Sequence, residues 1–204
     1  MADLFDVRQK KVMVTGGGGG LGGGVAEGLL EAGAEVVLIG SSDRAALAAE
    51  AFRSRGLNAH SVRADLRVQE ELNRGFDEAL CALGGEVDVL INAAGILRRC
   101  RSEEFSFEDW NDVLNVNLTA TFLLSQLAAR SMIRRGKGGK IINFASLVSF
   151  FGGQTVPAYA ASKGGVAQLT KALCNDWARY GINVNAIAPG YFDTEMNASL
   201  AMDE

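Results

Sequence analysis

Residues 11–29 read KVMVTGGGGGLGGGVAEGL. The first five form a short apolar run rich in β-branched residues, and from Leu21 onward the apolar positions recur at helical spacing. The glycines therefore fill a strand-to-helix turn. Without Cβ atoms, such a turn lets backbone N–H groups come close to a ligand. The helix beyond it offers unpaired N–H groups and a partial positive charge to an anion. The run reads as a cradle for phosphates, not as a slack spacer, because a linker has no reason to sit between a strand and its own helix.

The same alternation continues along the chain. Strands are expected at 11–15, 35–40, 59–64, 87–92, 140–145 and 183–188, with helical periodicity over 21–32, 43–55, 68–82, 109–134 and 158–179. The strands are continuous apolar runs, as expected for a parallel sheet covered by helices on both faces. Six strands separated by helices predict one α/β domain over residues 1–204, a doubly wound, Rossmann-type sheet. Right-handed crossovers then give the order 3-2-1-4-5-6.

Bulk properties exclude several function classes. A net charge of −4 argues against a broad nucleic-acid surface, and 48% hydrophobic content with 22% charged residues excludes wholesale disorder. No stretch approaches the length of a membrane span, and the N-terminus MADLFDVRQKK lacks the apolar core of a secretory signal. Cys81, Cys100 and Cys174 show no metal-ligand or disulfide spacing. They are expected to be reduced and mostly buried in a cytoplasmic protein. His60, the single histidine, is expected at the surface near the third strand. No metal site is expected.

Gly16, Gly20 and Gly22 form the pattern TGxxxGxG, and INAAG, ADL and APG follow the fourth, third and sixth strands. With YAASK at 159–163 and Ser146 at the end of strand five, this sequence resembles the short-chain dehydrogenase/reductase family. The resemblance runs nearly the whole chain. It implies a nicotinamide coenzyme, NAD or NADP, held by Gly16, Gly20, Leu21 and Gly22 at the glycine turn. It further implies Asp65 and Leu66 beside the adenine, with Asn92, Ala94 and Gly95 after strand four and Ala93 in place of the commoner second Asn. Pro189, Gly190 and Thr194 complete the expected coenzyme contacts after strand six. Such ligands gather at the carboxyl ends of the strands.

Tyr159 and Lys163 are four residues apart at the start of a helical run, so both fall on one helix face. An ammonium beside a phenol favours the phenolate and is expected to lower the tyrosine pKa. The resemblance implies that Tyr159 is the acid/base and that Ser146 hydrogen-bonds the substrate oxygen. It implies that Lys163 holds the nicotinamide ribose and that Asn117, in LNVNLTATF, supports a water relay to the lysine.

The residues after strand two, IGSSDR, leave the coenzyme open. Ser41, Ser42 and Arg44 suit a 2′-phosphate, whereas Asp43 repels one, and the same residues equally suit capping of the next helix. Arg98, Arg99 and Arg101 border the cleft, and guanidinium forks suit a carboxylate. Their alternative is a surface cluster facing Glu103 and Glu104. AGILRR, EDWNDVLNVNLTATFLLSQ and IAPGYFDTEM resemble the family's branch of gluconate and keto-deoxy-gluconate dehydrogenases. That implies oxidation of a secondary alcohol on a sugar acid by a homo-oligomer, a dimer or tetramer. A ketoacyl carrier-protein reductase shares the reacting centre, and a non-catalytic nucleotide-binding partner is the third reading. By resemblance, a C-terminal strand and a substrate-covering lid are expected to be missing after Glu204, which would expose strand six and weaken turnover.

Overall fold

The computed structural model describes residues 5–192. Its strands are β1 (Lys11–Thr15), β2 (Glu35–Gly40), β3 (Ala59–Arg63), β4 (Val89–Asn92), β5 (Gly139–Phe144) and β6 (Ile182–Ile187). They form one sheet in the order β3-β2-β1-β4-β5-β6, with every adjacent pair parallel. The strand order changes direction between β1 and β4, which opens a crevice at their carboxyl ends, where the predicted motifs lie.

The helices are α1 (Gly20–Glu31), α2 (Arg44–Ser54), α3 (Gln69–Ala82), α4 (Phe107–Leu114), α5 (Ala120–Arg135), α6 (Val148–Phe151) and α7 (Pro157–Trp177). One apolar layer, including Val14, Leu30, Leu38 and Phe52, lies under α1 and α2; the other, including Met13, Leu90, Leu124 and Ile141, lies under α3, α5 and α7. Burial on both faces explains why the strands read as unbroken apolar runs.

Two expectations about elements change. The periodic segment 109–134 is not one helix. A π-turn at Asn115–Thr119 separates α4 from α5, and the Ala120 N–H reaches back to the Asn115 carbonyl. Inserted turns of this kind leave the apolar period almost intact, so periodicity alone reads straight through them. The short α6 lies between β5 and α7, where no helix is expected from the sequence. The cysteines also need correction: Cys81 is exposed, while Cys100, in the loop after β4, and Cys174, at the edge of the apolar layer under α7, are half-buried. His60 lies within β3, half-buried, with Nε2 3.1 Å from Glu35 Oε1 and remote from the crevice.

Candidate active site

The glycine turn is built from two kinds of glycine. Gly16 has φ +68°, and a Cβ there would stand 2.9 Å from the Ala94 backbone; one at Gly22 would stand 2.5 Å from the Gly16 carbonyl. These two let the turn, α1 and the loop after β4 pack in direct contact. By contrast Gly19 and Gly20, at the start of α1, have open space where their Cβ atoms would be. Bare backbone at a helix N-terminus, facing a groove of about 1600 Å³, is the arrangement a pyrophosphate needs. Leu21 lines the same groove. Thr15 fastens the turn across the switch point: its Oγ1 accepts from the Ala94 N–H at 3.0 Å.

Ser41, Ser42 and Arg44 line the groove at the end of β2. Asp43 makes no side-chain cap on α2; its carboxylate receives Arg63 Nη1 at 2.9 Å instead. Asp65 and Leu66, after the neighbouring strand β3, also line the groove. The Asp65 carboxylate is gripped by Arg67, with Nη2 at 2.6 Å, and that guanidinium holds its pKa below the usual carboxylate value. Arg67 reaches on to Asp112 of α4 at 3.4 Å.

Ala94, Gly95, Pro189 and Gly190 also line the groove, as expected. Asn92 does not present its side chain there. It is buried, and Nδ2 donates to Ser125 Oγ at 3.0 Å and to Asn143 Oδ1 at 2.9 Å. The reason is strand alternation: Asn92 is the last ladder residue of β4 and points into the α5–α7 layer. Thr194 lies outside the described residues.

At the reacting end, the Ser146 hydroxyl lies close enough to the Tyr159 phenol to pull its pKa down. Lys163 stands beside the tyrosine, Nζ 5.6 Å from the ring centroid, and donates to the Phe144 carbonyl at 2.5 Å. All three line the groove. Their electrostatics differ from the sequence expectation. Burial raises the Tyr159 pKa above 10.0, with the Ser146 hydroxyl pulling it partly back. Burial also lowers the Lys163 pKa from 10.5 to about 8. The correction has a plain cause: desolvation disfavours both charged forms, and an ammonium that is itself being neutralised does little to stabilise a phenolate.

Asn117 sits just behind this wall, buried on the π-turn. Its Oδ1 accepts from the Ile96 N–H at 2.8 Å, while Nδ2 donates to the Ile96 carbonyl at 3.0 Å and to Ser162 Oγ at 3.1 Å. It thus clasps the loop after β4 onto α7. Its carbonyl accepts from Thr121 Oγ1 at 2.9 Å. Sequence reasoning missed Thr121, Ser125, Asn143 and Ser149, all polar residues bonded on the inner side of this site. The usable signal was their polarity at helix and strand positions that otherwise read as core.

Arg98 and Arg99 are exposed on the groove's rim. Arg98 Nε lies 3.3 Å from Asp109 Oδ1, and Arg101 is 3.9 Å from Glu103 and outside the groove lining. Among the described residues Arg99 has no ion pair.

A glycine-turned groove ending in Ser146, Tyr159 and a buried lysine meets its decisive comparison in sequence: the family model for short chain dehydrogenases matches residues 10–204. The chain belongs to the short-chain dehydrogenase family. As a member, it is an oxidoreductase of the nicotinamide-dependent kind. It is 44% identical over 200 residues to a 2-dehydro-3-deoxy-D-gluconate 5-dehydrogenase of Escherichia coli, covering 98% of this chain and 78% of that protein. It is 42% identical over 205 residues to a 5-keto-D-gluconate 5-reductase of Escherichia coli, covering 100% and 80%. Among solved structures, a gluconate 5-dehydrogenase from Burkholderia cenocepacia in complex with NADP and tartrate superposes with a TM-score of 0.92 at 42% identity, over 98% of this chain and 78% of that one. No helix among the described residues is long and apolar enough to cross a membrane, and none of their His, Cys, Asp and Glu side chains form a group of three that could hold a metal.

Proposed function

We propose that this short-chain dehydrogenase interconverts a secondary alcohol and a ketone on a gluconate-type sugar acid, with Ser146, Tyr159 and Lys163 at the reacting centre. The observation that carries the chemistry is the gathering of Ser146, Tyr159 and Lys163 on one wall of the groove, with the Lys163 Nζ 5.6 Å from the Tyr159 ring centroid. When bound, the nicotinamide supplies or takes up the hydride. Tyr159, protonated at neutral pH because its pKa is raised, gives its proton to the oxygen of the ketone as that oxygen becomes an alkoxide, and recovers it in the reverse direction. Ser146 hydrogen-bonds the same oxygen and orients it. Lys163 would hold the nicotinamide ribose hydroxyls, and Asn117 fastens the loop after β4 to α7 beside it.

The sugar-acid reading is supported by Arg99 on the rim, a guanidinium with no carboxylate of its own among the described residues, and by the relatives' substrates. Arg98 is a weaker candidate because Asp109 already answers it. The same pairing, with Arg101 near Glu103, disfavours a ketoacyl carrier-protein reductase, which would dock an acidic partner on this surface. NADP is the preferred coenzyme: Asp43 is drawn away by Arg63, so Ser41, Ser42 and Arg44 at the groove wall favour a 2′-phosphate. The protein is a cytoplasmic homo-oligomer. Phe122 and Ile133, three turns apart on one exposed face of α5, support self-association. Size-exclusion chromatography with light scattering tests that point.

The deciding assay follows the reduced-nicotinamide absorbance with D-gluconate and 5-keto-D-gluconate and with both coenzymes. Turnover is expected, faster with NADP(H), and Tyr159→Phe is expected to lower kcat by a factor of at least about 10² while leaving coenzyme binding intact. A Tyr159→Phe enzyme as fast as the wild type overturns the acid/base assignment. Arg99→Ala should raise KM for the aldonate and leave kcat in place.

A further inference from the structure

The hydroxyl of Ser149 occupies a place that the chemistry above does not account for. It accepts the Ser146 N–H at 3.1 Å and donates to the Lys163 carbonyl at 2.7 Å. The Ser149 N–H in turn donates to the Ser146 carbonyl at 3.0 Å. Residues 146–149 are thereby closed into a tight turn at both ends, and one oxygen fastens that turn to α7 between the strand carrying Ser146 and the helix carrying Tyr159 and Lys163. α6 is four residues long and packs on α7, while Phe150 and Phe151 are 73% and 67% exposed. Within α7 the Lys163 carbonyl lies one turn beyond Tyr159, so the Ser149 contact sets how far the Ser146 hydroxyl stands from the phenol.

We propose that Ser149 is a positioning residue for the reaction: its hydroxyl holds Ser146 beside Tyr159 by joining the end of β5 to α7. The two bonds require a group that accepts and donates at once. A threonine hydroxyl meets that requirement; an alanine methyl does not. Loss of the contact leaves the fold standing, because α7 and β5 are joined separately by the Asn143–Thr170 bond at 3.0 Å and by the apolar layer beneath. What it releases is the alignment of two reacting hydroxyls, to which rates are steeply sensitive.

The assignment rests on Ser146 and Tyr159 being the reacting pair, so the test includes a readout that needs no substrate. The chain has three tyrosines, so an ultraviolet difference titration of each protein against its own Tyr159→Phe counterpart isolates the Tyr159 phenol. In Ser149→Ala the phenol, having lost the aligned Ser146 donor, should titrate at higher pH than in the wild type, and in Ser149→Thr at the wild-type position. In steady-state assays with 5-keto-D-gluconate and NADPH, Ser149→Ala should lose about ten- to a hundredfold in kcat with the coenzyme KM unchanged, and Ser149→Thr should recover most of it. An unmoved phenol titration in Ser149→Ala overturns the proposal, as does a threonine variant as impaired as the alanine one. Failure of the broader reading looks different: Tyr159→Phe then retains turnover whatever Ser149 does.

Discussion

The Lys163 ammonium is sealed from water and leans on a single carbonyl, that of Phe144, which is why its pKa falls to about 8. This has a thermodynamic consequence whose sign is opposite to that of a paired lysine. The folded-state value is depressed, so between about 8 and 10.5 the unfolded chain holds a proton that the native protein has released. Stability therefore rises with pH across that window and is lower at neutral pH, by roughly 3 kcal/mol at about 1.4 kcal/mol per pH unit. Above 10.0 the raised Tyr159 value works the other way, and stability falls as the unfolded phenol ionises first. Lys163→Met, which keeps the stem and removes the charge, should abolish turnover yet raise the neutral-pH unfolding free energy by about 2–3 kcal/mol. Urea titrations at pH 7 and pH 10 check this: the wild type should gain stability between them and the variant should not.

Among elements, α1 and its turn show how the same residue type serves opposite ends. Gly22 is held against the Gly16 carbonyl, whereas Gly28, in the exposed middle of α1, has nothing within 4 Å of its absent Cβ. Gly22→Ala should drive α1 off the turn, costing about 2–4 kcal/mol and most coenzyme affinity. Gly28→Ala should stabilise by about 0.5–1 kcal/mol with no kinetic effect. Thermal melts with and without NADPH separate the two outcomes. The π-turn at Asn115–Thr119 is the other element that matters. Thr121 and Ser125 bond the carbonyls of Asn117 and Thr121, at 2.9 and 2.6 Å, so their hydroxyls stay inside the helix while Asn117 closes over Ile96. From sequence, Asn117 stood out as a candidate. Its actual contacts did not, because they depend on one extra residue per turn that leaves no mark in the apolar pattern.

Across the whole molecule the two ends of the sheet divide the labour. The carboxyl ends carry the groove; the amino ends carry a clasp centred on Asp88. Its carboxylate takes the Lys11 N–H at 3.0 Å and Arg135 Nη1 at 2.5 Å, its carbonyl takes the Lys140 N–H at 2.9 Å, and Arg135 Nη2 reaches the Gly138 carbonyl at 2.9 Å. β1, β4, β5 and the end of α5 are thus tied at one point far from the chemistry. Arg135→Met leaves the partly buried Asp88 carboxylate without its cation and should cost about 2–3 kcal/mol in urea unfolding. KM values for coenzyme and substrate should stay within twofold of wild type, since the groove does not touch this end.

Sequence by itself determined the strand order and the glycine turn, and it picked out Ser146, Tyr159 and Lys163 as the candidates that the fold gathers in one groove. Each depends on local periodicity or on short spacings that a chain displays directly, as in Tyr159 and Lys163 four apart on one helix. Only tertiary structure decided the protonation behaviour of that pair, the inward turn of Asn92, the diversion of Asp43 to Arg63 and the bridging place of Ser149. Those outcomes depend on desolvation and on partners from distant segments: the Ser149 hydroxyl meets the Lys163 carbonyl fourteen residues away, and Asn92 meets Asn143 across two strands. Burial and long-range contact exist only after the chain has folded, so no window of sequence displays them.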